Sequence, residues 1–213
     1  MYLIKILIIL LFVSFSNLLF AQELTFSNEF KKSLRLLDSA TFNNNYLKAA
    51  QSFDKAALID KKNWLTFYYA GICNTLLAFN SKGKDIDTYC DKAEKYANIA
   101  DSLNTNNSEI YVLKSMIAAA RINVNGIKRG QKYGAISAKY NVKALSLNPN
   151  NPRAYLQKAR AILNTPLAFG GGSKKAKPSF ELAVEKYKTF KAETIYHPNW
   201  GQKEAILELK KIK

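Results

Sequence analysis

The sequence predicts an all-α chain built as a series of stacked helical hairpins, and three observations predict it. First, Phe67, Tyr111 and Tyr155 stand 44 residues apart, as do Asn63, Asn107 and Asn151. The columns Ile59/Leu103/Leu147, Ala56/Ala100/Ala144 and Ala49/Ala93/Ser137 keep the same step. Self-similarity at a period of ~20–50 residues marks an array in which each unit shields the apolar face of the next. Second, apolar residues inside each period recur at helical spacing, with small residues on one stripe where two helices can approach closely. Third, polar Asn-rich turns such as Leu103-Asn104-Thr105-Asn106-Asn107 close the periods.

The N-terminus stands apart from this pattern. Met1 to Lys5 carries one positive charge, 6–15 is an almost unbroken apolar run, and Leu19-Phe20-Ala21 follows. That order reads as a signal peptide over 1–21, with Gln22 as the new N-terminus after cleavage. Ser14, Ser16 and Asn17 interrupt the run, which argues against an anchor of the ~20 apolar residues that spanning requires. The body, 22–213, is expected to work outside the cytoplasm, in the periplasm or beyond.

The first unit, about 28–62, holds helices over 28–40 and 45–60. The second, 64–106, holds one over 64–79, with Phe67, Ala70, Gly71 and Leu77 at helical spacing. After the break at Ser81-Lys82-Gly83-Lys84 comes another over 86–103, with Ala93, Ala97 and Ala100 on one stripe. The third, 108–150, is expected to hold helices over 108–122 and about 133–147, separated by Asn125-Gly126 and Gly130. The fourth, 152–191, opens on Asn151 as N-cap with Pro152 at the first helical position, where its missing N–H costs nothing. It stops at Asn164-Thr165-Pro166, passes Gly170-Gly171-Gly172 and resumes over 173–190 with Ser173 as cap. A last helix over 199–212 follows His197-Pro198-Asn199-Trp200, where Asn199 and Gln202 have capping-box spacing. It would cover the apolar face left open by the fourth unit, as terminal caps of arrays must.

These residues resemble the tetratricopeptide repeat (TPR) family. Its first-helix pair of an aromatic and a small residue four positions on is matched by Phe67/Gly71, Tyr111/Ser115 and Tyr155/Ala159. Ala49-Phe53-Ala56 and Ala176-Phe180-Ala183 match its second-helix triplet, and Leu147-Asn148-Pro149 matches its closing turn. The step here is longer than that of the family by ten residues. Ala97 and Asn141 replace the second-helix aromatic, and Lys61 and Thr105 replace the closing Pro. The resemblance implies a right-handed α-solenoid of four hairpins plus the capping helix, with the first helices lining a concave face. The face-lining positions would include Tyr68, Ile72, Val112, Met116, Arg153, Leu156 and Arg160. They would offer an apolar groove to a protein or peptide segment, with Arg153 and Arg160 holding a carboxylate, unless a tight coil or the long inserted loops bury the stripe as core. A carrier for a small apolar or lipidic ligand of the cell envelope is the alternative.

The formal net charge of +16 invites nucleic acid as a partner. The leader argues against it, and so does the predominance of Lys over the Arg forks that specific base or phosphate contacts favour. The charge reads first as a solvated Lys surface, with attraction to an anionic membrane surface or an acidic partner as the alternative, and the oligomeric state is not legible. Cys73 and Cys90, the two cysteines, are a candidate disulfide across one hairpin, against two buried thiols. Gly170 to Lys175 lacks the spacing and the preceding strand of a phosphate loop. His197, the single histidine, has no partner ligands at metal spacing and no nucleophile setting. No cofactor motif, metal site or catalytic residue is expected, and the chain reads as a non-enzymatic binding scaffold.

Overall fold

The computed structural model of the chain describes residues 28–40, 45–59 and 61–212. The expected leader at 1–21 lies outside the described residues. The chain forms two compact units, Met1–Lys61 and Lys62–Lys213. All regular structure among the described residues is helical. No helix there is long and apolar enough to cross a membrane.

The first unit holds helix α1 (28–40) and helix α2 (Tyr46–Ile59). Phe30 meets Phe53 edge to face, with ring centroids 5.8 Å apart, and the hydroxyls of Ser33 and Ser52 are hydrogen-bonded at 2.8 Å. Ala49, Phe53 and Ala56, the small–aromatic–small triplet, are fully buried.

The second unit holds α3 (Trp64–Phe79), α4 (Lys84–Leu103), α5 (Ser108–Ile122), α6 (Gly126–Leu147), α7 (Pro152–Asn164), α8 (Ser173–Thr189) and α9 (Gln202–Lys211). Three hairpins, α3/α4, α5/α6 and α7/α8, make the most extensive contacts; α5 also packs on both α3 and α7, and α9 packs on α8. The first helices start at the same end, because the Asn column that opens each period caps them. The side chains of Asn63, Asn107 and Asn151 accept hydrogen bonds from the backbone N–H of Leu65, Glu109 and Arg153 at 2.9, 2.9 and 3.0 Å. Each such cap contributes about 1 kcal/mol. The small-residue columns mark close approach: a Cβ on Gly71 would lie 2.7 Å from Leu113 Cδ2. Ser115 and Ser137 meet hydroxyl to hydroxyl at 2.9 Å between α5 and α6. Asn141 stands where the TPR pattern has an aromatic, and its Nδ2 donates to the Ala154 carbonyl at 2.8 Å, tying α6 to α7.

Three expectations need correction, and of the two readings of the cysteines the structure has the buried thiols. Helix α6 begins at Gly126, not near 133. Asn125 caps it by accepting from Lys128 N at 3.0 Å, and Gly130 and Gly134 are absorbed into the helix. An interior glycine costs a helix about 1 kcal/mol, which the packing of a 22-residue helix offsets. Ser173 is the first residue of α8 rather than its cap; Gly172, at φ +95°, holds the cap position without a side-chain bond. The last helix is capped by Gly201, at φ +100°, not by an Asn199/Gln202 box. Cys73 and Cys90 are both fully buried and are not joined by a disulfide; the Cys90 thiol donates to the Ile117 carbonyl at 3.8 Å.

Candidate functional site

The stripe expected to line an open concave face is interior. Tyr68, Ile72, Val112, Met116, Arg153 and Leu156 are all buried, and Arg160 is half-buried and ion-paired with Glu204 of α9. At Tyr68, Arg153 and Leu156 the cover is the C-terminal segment. After α8 the chain folds back across the starts of the first helices. Trp200 Nε1 donates to the Tyr68 hydroxyl at 3.0 Å, Tyr69 donates to the Tyr196 carbonyl at 3.0 Å, and the His197 ring lies 5.7 Å from that of Trp64. Tyr187 donates to the Trp200 carbonyl at 2.8 Å.

Beneath this clasp sits a buried ion pair. Arg153 Nε and Nη2 each donate to a carboxylate oxygen of Glu109 at 2.7 Å, and its guanidinium lies 4.3 Å from the centre of the Phe190 ring. Burial works against the Arg153 charge, but the Glu109 hydrogen bonds and charge more than offset it and hold the group above its ordinary pKa. Burial pushes the Tyr68 phenol well up, with the Glu109 charge adding to it. Arg153 and Leu156 are therefore structural in position, and the apolar stripe is core.

An open cleft of about 390 Å³ lies instead between α4, α5 and α6. Helices α4 and α6 each pack on α5 but scarcely on each other, so α5 forms a floor between two walls. Ile117 and Ala118 supply the apolar floor and Ile136 the α6 wall, beside Tyr133 and Tyr140. Lys114, Arg121 and Lys132 line it as well, with Glu94 and Asn98 on the α4 side.

The charges differ in availability. Arg121 is engaged by Asp91 at 2.7 Å, Glu94 at 2.8 Å and Asp87 at 3.3 Å, and Lys114 by Asp101 at 2.6 Å. Arg129 pairs with Asp87 at 2.8 Å and, with its hydrogen bond to that carboxylate as the main cause, holds the Asp87 pKa below its ordinary value. Lys132 makes no ion pair with any described residue; its ammonium lies 5.3 Å from the centre of the Tyr133 ring. The hydroxyls of Tyr133 and Tyr140 take no hydrogen bond from the described protein, so both remain available to a ligand. A cleft of this size, lined by polar and apolar groups in similar measure, can take a small organic molecule that carries both kinds of surface. Among the described residues no group of three or more His, Cys, Asp and Glu could hold a bare metal ion.

None of the α6 residues of this cleft was singled out from the sequence. The signal that could have found them is a second stripe on α6. Ser137, Asn141 and Ala144 face the core, while Tyr133, Ile136 and Tyr140 repeat at helical spacing beside them and stay half-buried. His197 stays away from the cleft, where its Nδ1 and the Thr194 hydroxyl lie 2.8 Å apart in a turn.

An all-helical unit with an open cleft of phenols, isoleucines and amines has the build of a binding protein. No protein-family model matches the chain, and no curated protein matches it. Among solved structures it is similar to the HusA haemophore from Porphyromonas gingivalis, at 36% identity and a TM-score of 0.79, covering 88% of this chain and 92% of that one. The chain belongs to the family of that haemophore.

Proposed function

We propose that the chain is a haem-carrying protein of the cell envelope that takes haem into the cleft between α4, α5 and α6. The observation that carries this reading is the pairing of two phenol hydroxyls without hydrogen-bond partners among the described residues, Tyr133 and Tyr140, with the apolar side chains of Ile117, Ala118 and Ile136. A porphyrin is a flat apolar face with carboxylates at one edge. The isoleucines and tyrosine rings suit the face, the unpaired Lys132 ammonium suits a carboxylate, and a phenol oxygen is a known protein ligand of haem iron. The kinship with a haemophore supports the choice of ligand.

The cleft is open, which suits a carrier that must release its load. This is the small-ligand alternative among the expectations from sequence, relocated from the concave stripe to the outer wall. The protein-partner reading relied on an exposed concave groove, and the clasp over Tyr68 and Arg153 removes that groove. In the same reading the α1/α2 hairpin of the first unit and the three hairpins of the second are each TPR-like, and 1–21 directs export.

Titration with ferric haem followed in the Soret region tests the proposal. Saturable binding that weakens in Tyr133→Phe or Tyr140→Phe, with a changed absorption spectrum in one of them, is the expected outcome. Binding with the same affinity and spectrum in both variants would overturn the assignment of the cleft.

A further inference from the structure

We propose that the edge of the second unit formed by its three hairpin turns docks on an anionic lipid surface, with the turn Leu167–Phe169 entering among the headgroups. The inference stands apart from the haem reading.

The three turns, 80–83, 123–125 and 165–172, share one end. Asn151 Nδ2 donates to Ser108 Oγ at 2.9 Å, so α5 and α7 start together and run alongside each other. Ser108 Oγ donates to the Ala144 carbonyl at 2.8 Å, so α6 ends where α5 starts. At the opposite end Arg129 reaches Asp87 at 2.8 Å, which places the start of α6 beside the start of α4.

This end is apolar at its tips and basic around them. Leu167 and Phe169 are each 81% exposed and Ile127 is 99% exposed. Around them stand Lys82, Lys84, Lys128, Lys174 and Lys175, all exposed and none in an ion pair with a described residue. The chain carries no acidic residue between Glu109 and Glu181, a stretch that includes two of the three turns. The acidic groups near the first turn are spent in part on arginine, since Asp87 is held by Arg129 and Arg121.

Exposed Leu and Phe beside unpaired lysines match the two layers of an anionic bilayer surface, headgroup charge outside and acyl chains beneath. The tip is also built to hold its side chains outward. Phe169 N donates to the Pro166 carbonyl at 2.9 Å, Gly170 N to Leu167 at 2.9 Å, Gly171 N to Pro166 at 3.2 Å and Gly172 N to Ile162 at 2.9 Å. Gly170 and Gly172 take φ of +80° and +95°, and a Cβ on Gly171 would run into the Thr165 carbonyl. A turn fixed this firmly keeps Leu167 and Phe169 in water without collapse, at the cost that exposed apolar area carries, and membrane contact removes that cost.

The experiment is vesicle flotation of the exported, processed protein at physiological ionic strength. Vesicles of equal parts phosphatidylglycerol and phosphatidylcholine are compared with phosphatidylcholine alone. Binding to the mixed vesicles is expected, with little to the neutral ones. The double variants Leu167→Ser/Phe169→Ser and Lys174→Glu/Lys175→Glu should each lower it by about tenfold or more. Ile195→Ser, which removes an apolar side chain 85% exposed outside this edge, should leave it unchanged. The substituted positions are exposed, and unchanged thermal melting shows that each variant is folded. Equal affinity for both vesicle types, no binding to either, or tip variants that bind as well as the parent protein would overturn the proposal.

Discussion

Glu109 and Arg153, 44 residues apart and therefore at equivalent places in successive hairpins, form a two-point ion pair in the interior, with both N–O distances 2.7 Å. Asn151 Nδ2 donates to the same carboxylate at 2.8 Å. The repeat thus places opposite charges in register, and the aromatic rings of Phe190 and Trp200 cover the arginine at 4.3 and 5.9 Å. The pair fastens the α7/α8 hairpin to the α5/α6 hairpin and gives the returning C-terminal segment a surface to close on.

Removing Arg153 leaves the Glu109 carboxylate, whose side chain is 14% exposed, without its charge partner in a largely desolvated place. Arg153→Met is expected to lower stability by about 3 kcal/mol, in the range seen when a buried pair is broken from one side. Urea denaturation checks it, as a lower midpoint at unchanged slope. An unchanged midpoint would mean that the pair contributes nothing net.

Two glycines should respond oppositely to alanine. Gly201 sits at φ +100°, and a Cβ there would meet the Tyr187 hydroxyl and Leu156, so Gly201→Ala should destabilise by about 1–3 kcal/mol. Gly134 lies inside α6, where an added Cβ would meet no atom within 4 Å, so Gly134→Ala should stabilise by about 0.5–1 kcal/mol. Thermal melting of the two variants separates the effects by sign.

Burial pushes the Cys90 thiol up to about 12 from an ordinary value of 9.0. The unfolded chain therefore releases this proton first. The stabilising effect of burying a neutral thiol is complete below about pH 9 and is lost as pH rises towards 12. The Tyr187 and Tyr68 phenols, raised chiefly by burial, add a loss of the same sign from about pH 10 upward. Denaturation between pH 8 and pH 12 should show a steady fall in stability, shallower in Tyr187→Phe. In the native protein at pH 8, Cys73 and Cys90 should both resist a thiol reagent, and both should react once it is unfolded.

Much of the fold was legible in the sequence because its causes are local. The 44-residue columns gave the hairpins, and the bounds of α3, α5 and α7 follow from Asn caps and from polar turns after Phe79, Ile122 and Asn164. The start of α6 was not legible, because glycine is a weak breaker whose cost depends on what the rest of the helix buries. Gly126 and Gly130 lie in a helix that packs against both α5 and α7. The same ambiguity hid Tyr133 and its neighbours, since the cleft exists only where the early turns of α6 stand beside α5. The burial of Tyr68, Val112 and Arg153 was hidden for another reason. At Tyr68 and Arg153 it involves Trp200, which returns from 132 residues beyond Tyr68, a contact that helical spacing cannot reveal.

The central claim is that haem enters the outer cleft and not the buried stripe. The most direct measurement is ferric haem titration of Ile136→Glu beside the parent protein. Ile136 is half-buried in the α6 wall, so a carboxylate there is tolerated by the fold but repels the haem carboxylates and wets the apolar lining. The account predicts helical content and melting close to the parent, with affinity for haem reduced at least tenfold, about 1.4 kcal/mol or more. Undiminished affinity in a folded Ile136→Glu protein would contradict it.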